Sequence, residues 1–155
     1  MVPILLLTAA PSYGANQVVG TRGDDHLVGT SDRDSLVGRR GDDVLVARAG
    51  NDDLDGGAGR DRLSGGRGRD FLADFDGGDA LDGGTGNDRA VLGGGRGGVT
   101  HLQLGPGDDE VVVQDDGTAD VVGCGPGHDV AEWVDHRDPA DRYVGCEVVR
   151  EYLGP

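Results

Sequence analysis

Lysine is missing from this chain, and aromatic residues are scarce: one Trp, three Tyr and two Phe, 4% of 155 positions. A chain with so few large apolar side chains has little surface to bury, and on composition alone it borders on disorder. Its fourteen basic residues are all arginine, which reads as codon bias, and they face 29 acidic ones, leaving a formal net charge of −15. That balance argues against nucleic acid or an anionic membrane as partner, because both repel an acidic surface. It also opposes compact packing unless something neutralises it, which points to bound cations. No apolar run is long enough to span a bilayer, so membrane insertion is not expected.

Catalytic patterns are lacking as well. There is no His-Glu-x-x-His zinc helix, no Gly-x-Ser-x-Gly elbow and no phosphate loop. His26, His101, His128 and His136 are scattered and read as surface or turn residues. Adjacent acids at Asp24-Asp25, Asp42-Asp43, Asp52-Asp53 and Asp108-Asp109 resemble a glycosidase pair only superficially, because a repeat register accounts for them. The chain does not read as an enzyme.

Glycine, at 31 residues, is what the chain has in abundance, and it falls in a fixed phase over residues 20–91. Aspartate recurs every ninth residue, at Asp25, Asp34, Asp43, Asp52, Asp61, Asp70, Asp79 and Asp88. Two residues after each comes an apolar side chain: Leu27, Leu36, Leu45, Leu54, Leu63, Leu72, Leu81, then Ala90. Two residues before each is glycine, with Asp32 the exception. A nine-residue period does not fit a helix, and eight in-register copies define a repeat array. In Gly56-Gly57-Ala58-Gly59-Arg60-Asp61-Arg62-Leu63-Ser64 the first six residues read as a tight turn. The last three read as one rung of a stacked sheet, with Leu63 pointing inward.

Each turn reverses the chain by half a circuit, so two repeats close a coil of eighteen residues. Leu27, Leu45, Leu63 and Leu81 then form one inner ladder, and Leu36, Leu54, Leu72 and Ala90 the facing one. The aspartates line two edges and pair one coil apart: 25 with 43, 34 with 52, 43 with 61, 52 with 70, 61 with 79, 70 with 88. Such pairs repel without a hard cation between them, and calcium suits carboxylate and carbonyl oxygens in flexible geometry. About six ions would supply ~+12 against the −15.

The phrase Gly-Gly-x-Gly-x-Asp-x-apolar-x resembles the calcium-binding nonapeptide of the RTX (haemolysin-type) family. The resemblance covers residues 20–91 and implies a right-handed parallel β-roll with calcium between successive turns. It implies that calcium is held by the eight aspartates and by turn carbonyls at Gly41, Gly50, Gly57, Gly59, Gly66, Gly68, Gly84 and Gly86. Departures are Asp32, Arg39-Arg40, Ala47-Arg48 and Asp74-Phe75, where weak binding or none is expected. The turns at 56–61, 65–70 and 83–88 match best.

Residues 1–15 read as a secretory signal peptide, which places the protein outside the cell; the other reading is an apolar leader strand that caps the array. Residues 16–91 are the calcium-binding roll. Residues 92–155 read as degenerate, valine-rich repeats, with Asp109, Asp120 and Asp129 as weaker ligand candidates, ending in a cap with Trp133, Tyr143 and Tyr152. Cys124 and Cys146 are expected to form a disulfide in an exported chain, worth roughly 3 kcal/mol. A zinc site of Cys124, His128, His136 and Cys146 is the rival. A monomer whose folding depends on calcium is expected; an adhesion module that binds glycan, or a detached accessory domain of a toxin or hydrolase, are the alternatives.

Overall fold

The computed structural model describes residues 4–6, 16–76, 78–93, 98–114, 117–134 and 139–151. The expected signal peptide lies, apart from residues 4–6, outside the described residues, as do His136 and Tyr152. In chain order the strands are β1 (Ile4–Leu6), β2 (Asn16–Val19), β3 (His26–Val28), β4 (Asp34–Arg40), β5 (Val44–Ala49), β6 (Asp53–Ala58), β7 (Arg62–Arg67) and β8 (Phe71–Asp74). They continue with β9 (Ala80–Thr85), β10 (Arg89–Leu92), β11 (His101–Gln103), β12 (Glu110–Gln114), β13 (Val121–Gly123), β14 (Val130–Val134), β15 (Arg142–Val144) and β16 (Val148–Glu151).

Odd-numbered strands make one eight-stranded sheet and even-numbered strands a second, each in chain order. Every pairing is parallel. The chain therefore winds as a solenoid, two strands per coil. Among the described residues there is no helix, and none that is long and apolar enough to cross a membrane. With rungs ~4.8 Å apart, the eight levels span about 34 Å.

The register obeys the eighteen-residue period. Leu27 pairs with Leu45, Leu45 with Leu63, and Leu63 with Leu81. On the facing sheet Leu36 pairs with Leu54, Leu54 with Leu72, and Leu72 with Ala90. These two ladders are buried and fill the space between the sheets. Past residue 91 the coils lengthen but the ladders run on: Leu81 meets Leu102, Leu102 meets Val122, and Ala90 meets Val111.

One local expectation is corrected. The rungs are not three residues long; in the best copies they run for six, as in Arg62–Arg67, and take in the first glycines of the next repeat. Gly65 and its equivalents Gly20, Gly29, Gly38, Gly56 and Gly83 are buried within or at the end of a strand, two residues beyond the inward apolar side chain. Alternation along a strand sends both positions to the same side. The leucine then fills the core, and the glycine leaves room for something else.

At the far end Cys124 and Cys146 form a disulfide with Cα atoms 5.2 Å apart. This disposes of the zinc reading, since neither sulfur remains as a thiolate ligand. The bridge ties the turn between β15 and β16 back to the preceding coil, where Tyr143, Cys146 and Val149 pack against the end of the core.

Candidate metal site

The aspartates at the sixth position of each repeat are almost completely buried, each 4% exposed or less from Asp25 to Asp88. Charge this deep needs partners, and one carboxylate oxygen of each has one. The backbone amide of Asp25 donates to Asp43 Oδ1 at 2.7 Å, that of Asp34 to Asp52 Oδ1 at 2.7 Å, and that of Asp43 to Asp61 Oδ1 at 2.8 Å. Asp52 donates in the same way to Asp70 at 2.9 Å, Asp61 to Asp79 at 2.6 Å, and Asp70 to Asp88 at 2.8 Å. All six pairs expected from the spacing are thus in contact, through amide-to-carboxylate bonds that spacing alone does not reveal.

The second oxygen is the chemically open one. Among the described residues, nine buried Oδ2 atoms have no hydrogen-bond partner: those of Asp43, Asp52, Asp61, Asp70, Asp74, Asp79, Asp88, Asp109 and Asp129. Leaving a carboxylate oxygen buried and unpaired is costly, so the arrangement calls for a cation. Asp25 and Asp34 differ. Their Oδ2 atoms accept from the amide and hydroxyl of Thr21 and of Thr30 in their own turns.

The open oxygens of Asp43, Asp61, Asp70 and Asp88 each point at the strand-end glycine five residues before, Gly38, Gly56, Gly65 and Gly83. A β-carbon built on Gly65 would lie 2.5 Å from Asp70 Oδ2 and 2.6 Å from the Gly83 carbonyl oxygen of the next coil. On Gly83 it would lie 2.7 Å from both Asp88 Oδ2 and the Leu104 carbonyl oxygen. A carboxylate oxygen and a backbone carbonyl oxygen therefore converge on one small cradle that any side chain would fill. Hard oxygen donors of mixed type around such a space fit calcium.

The candidate turn glycines form a separate column of close backbone approaches, each over the turn one coil earlier. Gly41, Gly50, Gly57, Gly59, Gly66, Gly68, Gly84 and Gly86 all have positive φ, between 97° and 143°. Gly57 and Gly66 sit over the carbonyl oxygens of Arg39 and Arg48 one coil earlier, too close for a β-carbon. Arg39 and Arg48 themselves hold φ of 86° and 81°. The turn conformation is kept even where the repeat has arginine for glycine, because what the position contributes is its backbone.

Burial pushes these carboxyl groups upward. It is the largest cause for Asp52, Asp61 and Asp109, raised to about 6, and for Asp88, raised to about 7, each then lowered by a backbone amide and raised by neighbouring carboxylates. Asp43, Asp70, Asp79 and Asp129 are raised for the same leading reason. Asp74 goes furthest, to about 9, through burial first and the charge of Asp79 second.

Several contributors were not evident from the repeat phrase. Asp109 and Asp129, weak candidates by sequence, carry open Oδ2 atoms and extend the ladder, with Asp88 donating to Asp109 at 2.7 Å and Asp109 to Asp129 at 2.9 Å. Thr100, Asp120 and Asp141 continue the opposite edge: Thr100 donates to Asp120 and Asp120 to Asp141. Glu147 closes the first edge by accepting from the Asp129 amide at 2.6 Å. Coils of 20 or 21 residues hid these partners; the signal was a Gly-Pro-Gly turn at 105–107 and again at 125–127.

The adjacent acids also find their explanation. Asp42 Oδ1 accepts from the Arg60 amide one coil later, whereas Asp43 Oδ1 accepts from one coil earlier. Asp108 and Asp109 divide in the same way, Asp108 Oδ1 accepting from the His128 amide and Asp109 Oδ1 from the Asp88 amide, while Asp53 pairs with Arg33 of the earlier coil.

Stacked parallel rungs, buried turn carboxylates with one open oxygen and carbonyls aimed into the same cradle define a β-roll of the calcium-binding repeat class. The sequence matches the model of the RTX calcium-binding nonapeptide repeat in four overlapping copies, at residues 12–45, 28–63, 38–72 and 55–90, which together span just over half the chain. The chain belongs to that family. No curated protein matches it closely enough to suggest a narrower role.

Proposed function

We propose that this is a secreted calcium-binding protein whose β-roll folds when calcium occupies the turn cradles, and that residues 1–15 are its export signal. It has no catalytic role in this reading. The supporting observation is the row of buried, unpaired Oδ2 atoms, with those of Asp43, Asp61, Asp70 and Asp88 beside strand-end glycines. Bound calcium supplies positive charge and Lewis acidity toward several oxygens at once. The chain's part is to present Asp43, Asp52, Asp61, Asp70, Asp79 and Asp88, with the carbonyls of the positive-φ turn residues, in a dry and repeated geometry.

Without the ion, the −15 charge and the buried carboxylates oppose the coil, and glycine entropy favours the expanded chain. Where calcium is scarce the chain stays open, which suits passage across a membrane. Outside, binding free energy becomes folding free energy. An affinity of ~10⁻⁴ to 10⁻³ M per site matches extracellular calcium. Circular dichroism of the purified protein in chelator and then in calcium tests this. The β signal is expected to be absent in EDTA and to return cooperatively with calcium; a chelator-insensitive spectrum contradicts the proposal.

A further inference from the structure

The turn at residues 74–79 is chemically unlike its neighbours. In the stacked column formed by Gly20, Gly38 and Gly56, the next member is Asp74. A β-carbon on Gly38 or Gly56 would point at the open oxygen of the aspartate five residues on. Asp74 has that β-carbon, and its carboxylate enters the space that glycine keeps clear elsewhere. It is 3% exposed, and carboxylate oxygens of Asp61, Asp74 and Asp79 all lie within 4.8 Å of one another.

Each of the three has one oxygen committed and one open. Asp61 Oδ1 accepts from the Asp43 amide at 2.8 Å, Asp79 Oδ1 from the Asp61 amide at 2.6 Å, and Asp74 Oδ1 from the Asp76 amide at 3.3 Å. The three Oδ2 atoms are buried with no donor apart from the carboxyl groups of Asp74 and Asp79 themselves, which lie within reach of each other. Among the described residues no basic side chain enters with them; Arg60, which acts weakly on Asp79, is exposed. In register with Asp74 on the next strand is Leu92, which is buried and apolar. Three carboxylates in so dry a place cannot remain ionised without a cation of high charge density.

We propose that Asp61, Asp74 and Asp79 form a three-carboxylate calcium site, distinct from the repeated two-oxygen cradles, which binds at least tenfold more tightly than they do and fills first. The inference rests on calcium being the ligand of the roll. A greater number of charged ligands is a main determinant of calcium affinity, and this site gathers three carboxylates where a cradle such as that at Gly65 shows one carboxylate and one carbonyl. Its place in the middle of the array lets the first ion order turns on both sides.

The test uses the whole protein. Loaded chain is passed through a desalting column into buffer without calcium or chelator, and retained calcium is measured by plasma emission spectrometry. In parallel, calcium is titrated calorimetrically into the ion-free chain. The wild type is expected to retain about one ion per chain and to show one tight class ahead of the weaker sites. Asp74→Gly restores the residue found at 20, 38 and 56, so the fold has a place for it. It is expected to retain no ion and to lose the tight class while the weaker ones remain. Asp70→Asn, on the other edge, is expected to keep the tight ion. Uniform weak sites in the wild type, or an Asp74→Gly chain that still retains its ion, would overturn the assignment while leaving calcium-dependent folding intact. A chain that binds no calcium anywhere would remove both readings.

Discussion

The amide of Asp52 donates to Asp70 Oδ1 at 2.9 Å across one coil, while Asp70 Oδ2 faces Gly65 with no partner. One carboxylate thus divides its two oxygens between the fold and an ion. The ladder bond sets the spacing of the coils, and the open oxygen sets their dependence on a cation.

That division makes asparagine the informative substitution. Asp70→Asn keeps an Oδ1 acceptor for the Asp52 amide and replaces the open oxygen with an amide that donates. Calorimetry is expected to show fewer calcium ions bound, with the loaded form less stable by about 1–3 kcal/mol. Asp70→Ala loses the ladder bond as well and is expected to be worse in thermal melts. Equal melting of the two variants would show that the ladder bond contributes nothing.

Acid should act on the ion-free and loaded forms in opposite directions. Burial raises the folded-state values of Asp52, Asp61 and Asp109 to about 6 and of Asp88 to about 7, above their unfolded values near 3.8. Protonation therefore favours the ion-free coil, and its stability is gained as pH falls from about 7 toward 4 and lost as pH rises again. In EDTA, β-structure should increase over that window. With calcium present, the same protons compete with the ion and its affinity should fall. Circular dichroism against pH with and without calcium checks both; a roll equally unstructured at pH 8 and pH 4.5 in EDTA contradicts the first.

Arg39 and Arg48 hold left-handed backbone at positions where other copies have glycine. Such a conformation costs an ordinary residue about 1–2 kcal/mol, less the entropy that glycine forfeits on folding. Arg39→Gly and Arg48→Gly are each expected to stabilise the calcium-loaded protein by up to about 1 kcal/mol in denaturant titrations. The reverse change, Gly66→Ala, puts a β-carbon against the Arg48 carbonyl oxygen and is expected to destabilise it.

Reducing the Cys124–Cys146 bridge should release the last coil and little else. Its loop is short, and closing it is worth roughly 3 kcal/mol. Hydrogen exchange is expected to quicken at β15 and β16 on reduction, with the number of calcium ions held between residues 38 and 88 unchanged. A loss of protection throughout the roll would show instead that the cap governs the whole array.

Much of this architecture is legible in the spacing of Asp and Leu. A nine-residue phase cannot be a helix, and two repeats per coil place Leu27 over Leu45 and Asp43 over Asp61, as found. What the phrase conceals are contacts made by the backbone. Gly65 reads as a turn residue, yet it ends inside a strand because a side chain there would collide with Asp70. Arg39 reads as a departure, yet its φ matches that of the glycines because its backbone is what the position supplies. Asp109 and Asp129 read as weak because their coils have extra residues, and only the sheet register shows that the ladder stays in phase across those longer coils. Asp74 was the least legible, since a missing glycine looks like decay until its carboxylate is seen beside Asp79.

Crystals grown in calcium and measured near an energy where calcium scatters anomalously address the central claim most directly. Difference peaks are expected between consecutive turns, each within ~2.3–2.6 Å of an open aspartate oxygen such as Asp70 Oδ2 or Asp88 Oδ2 and of turn carbonyl oxygens. An ordered roll with water at those positions and no anomalous signal would contradict the account.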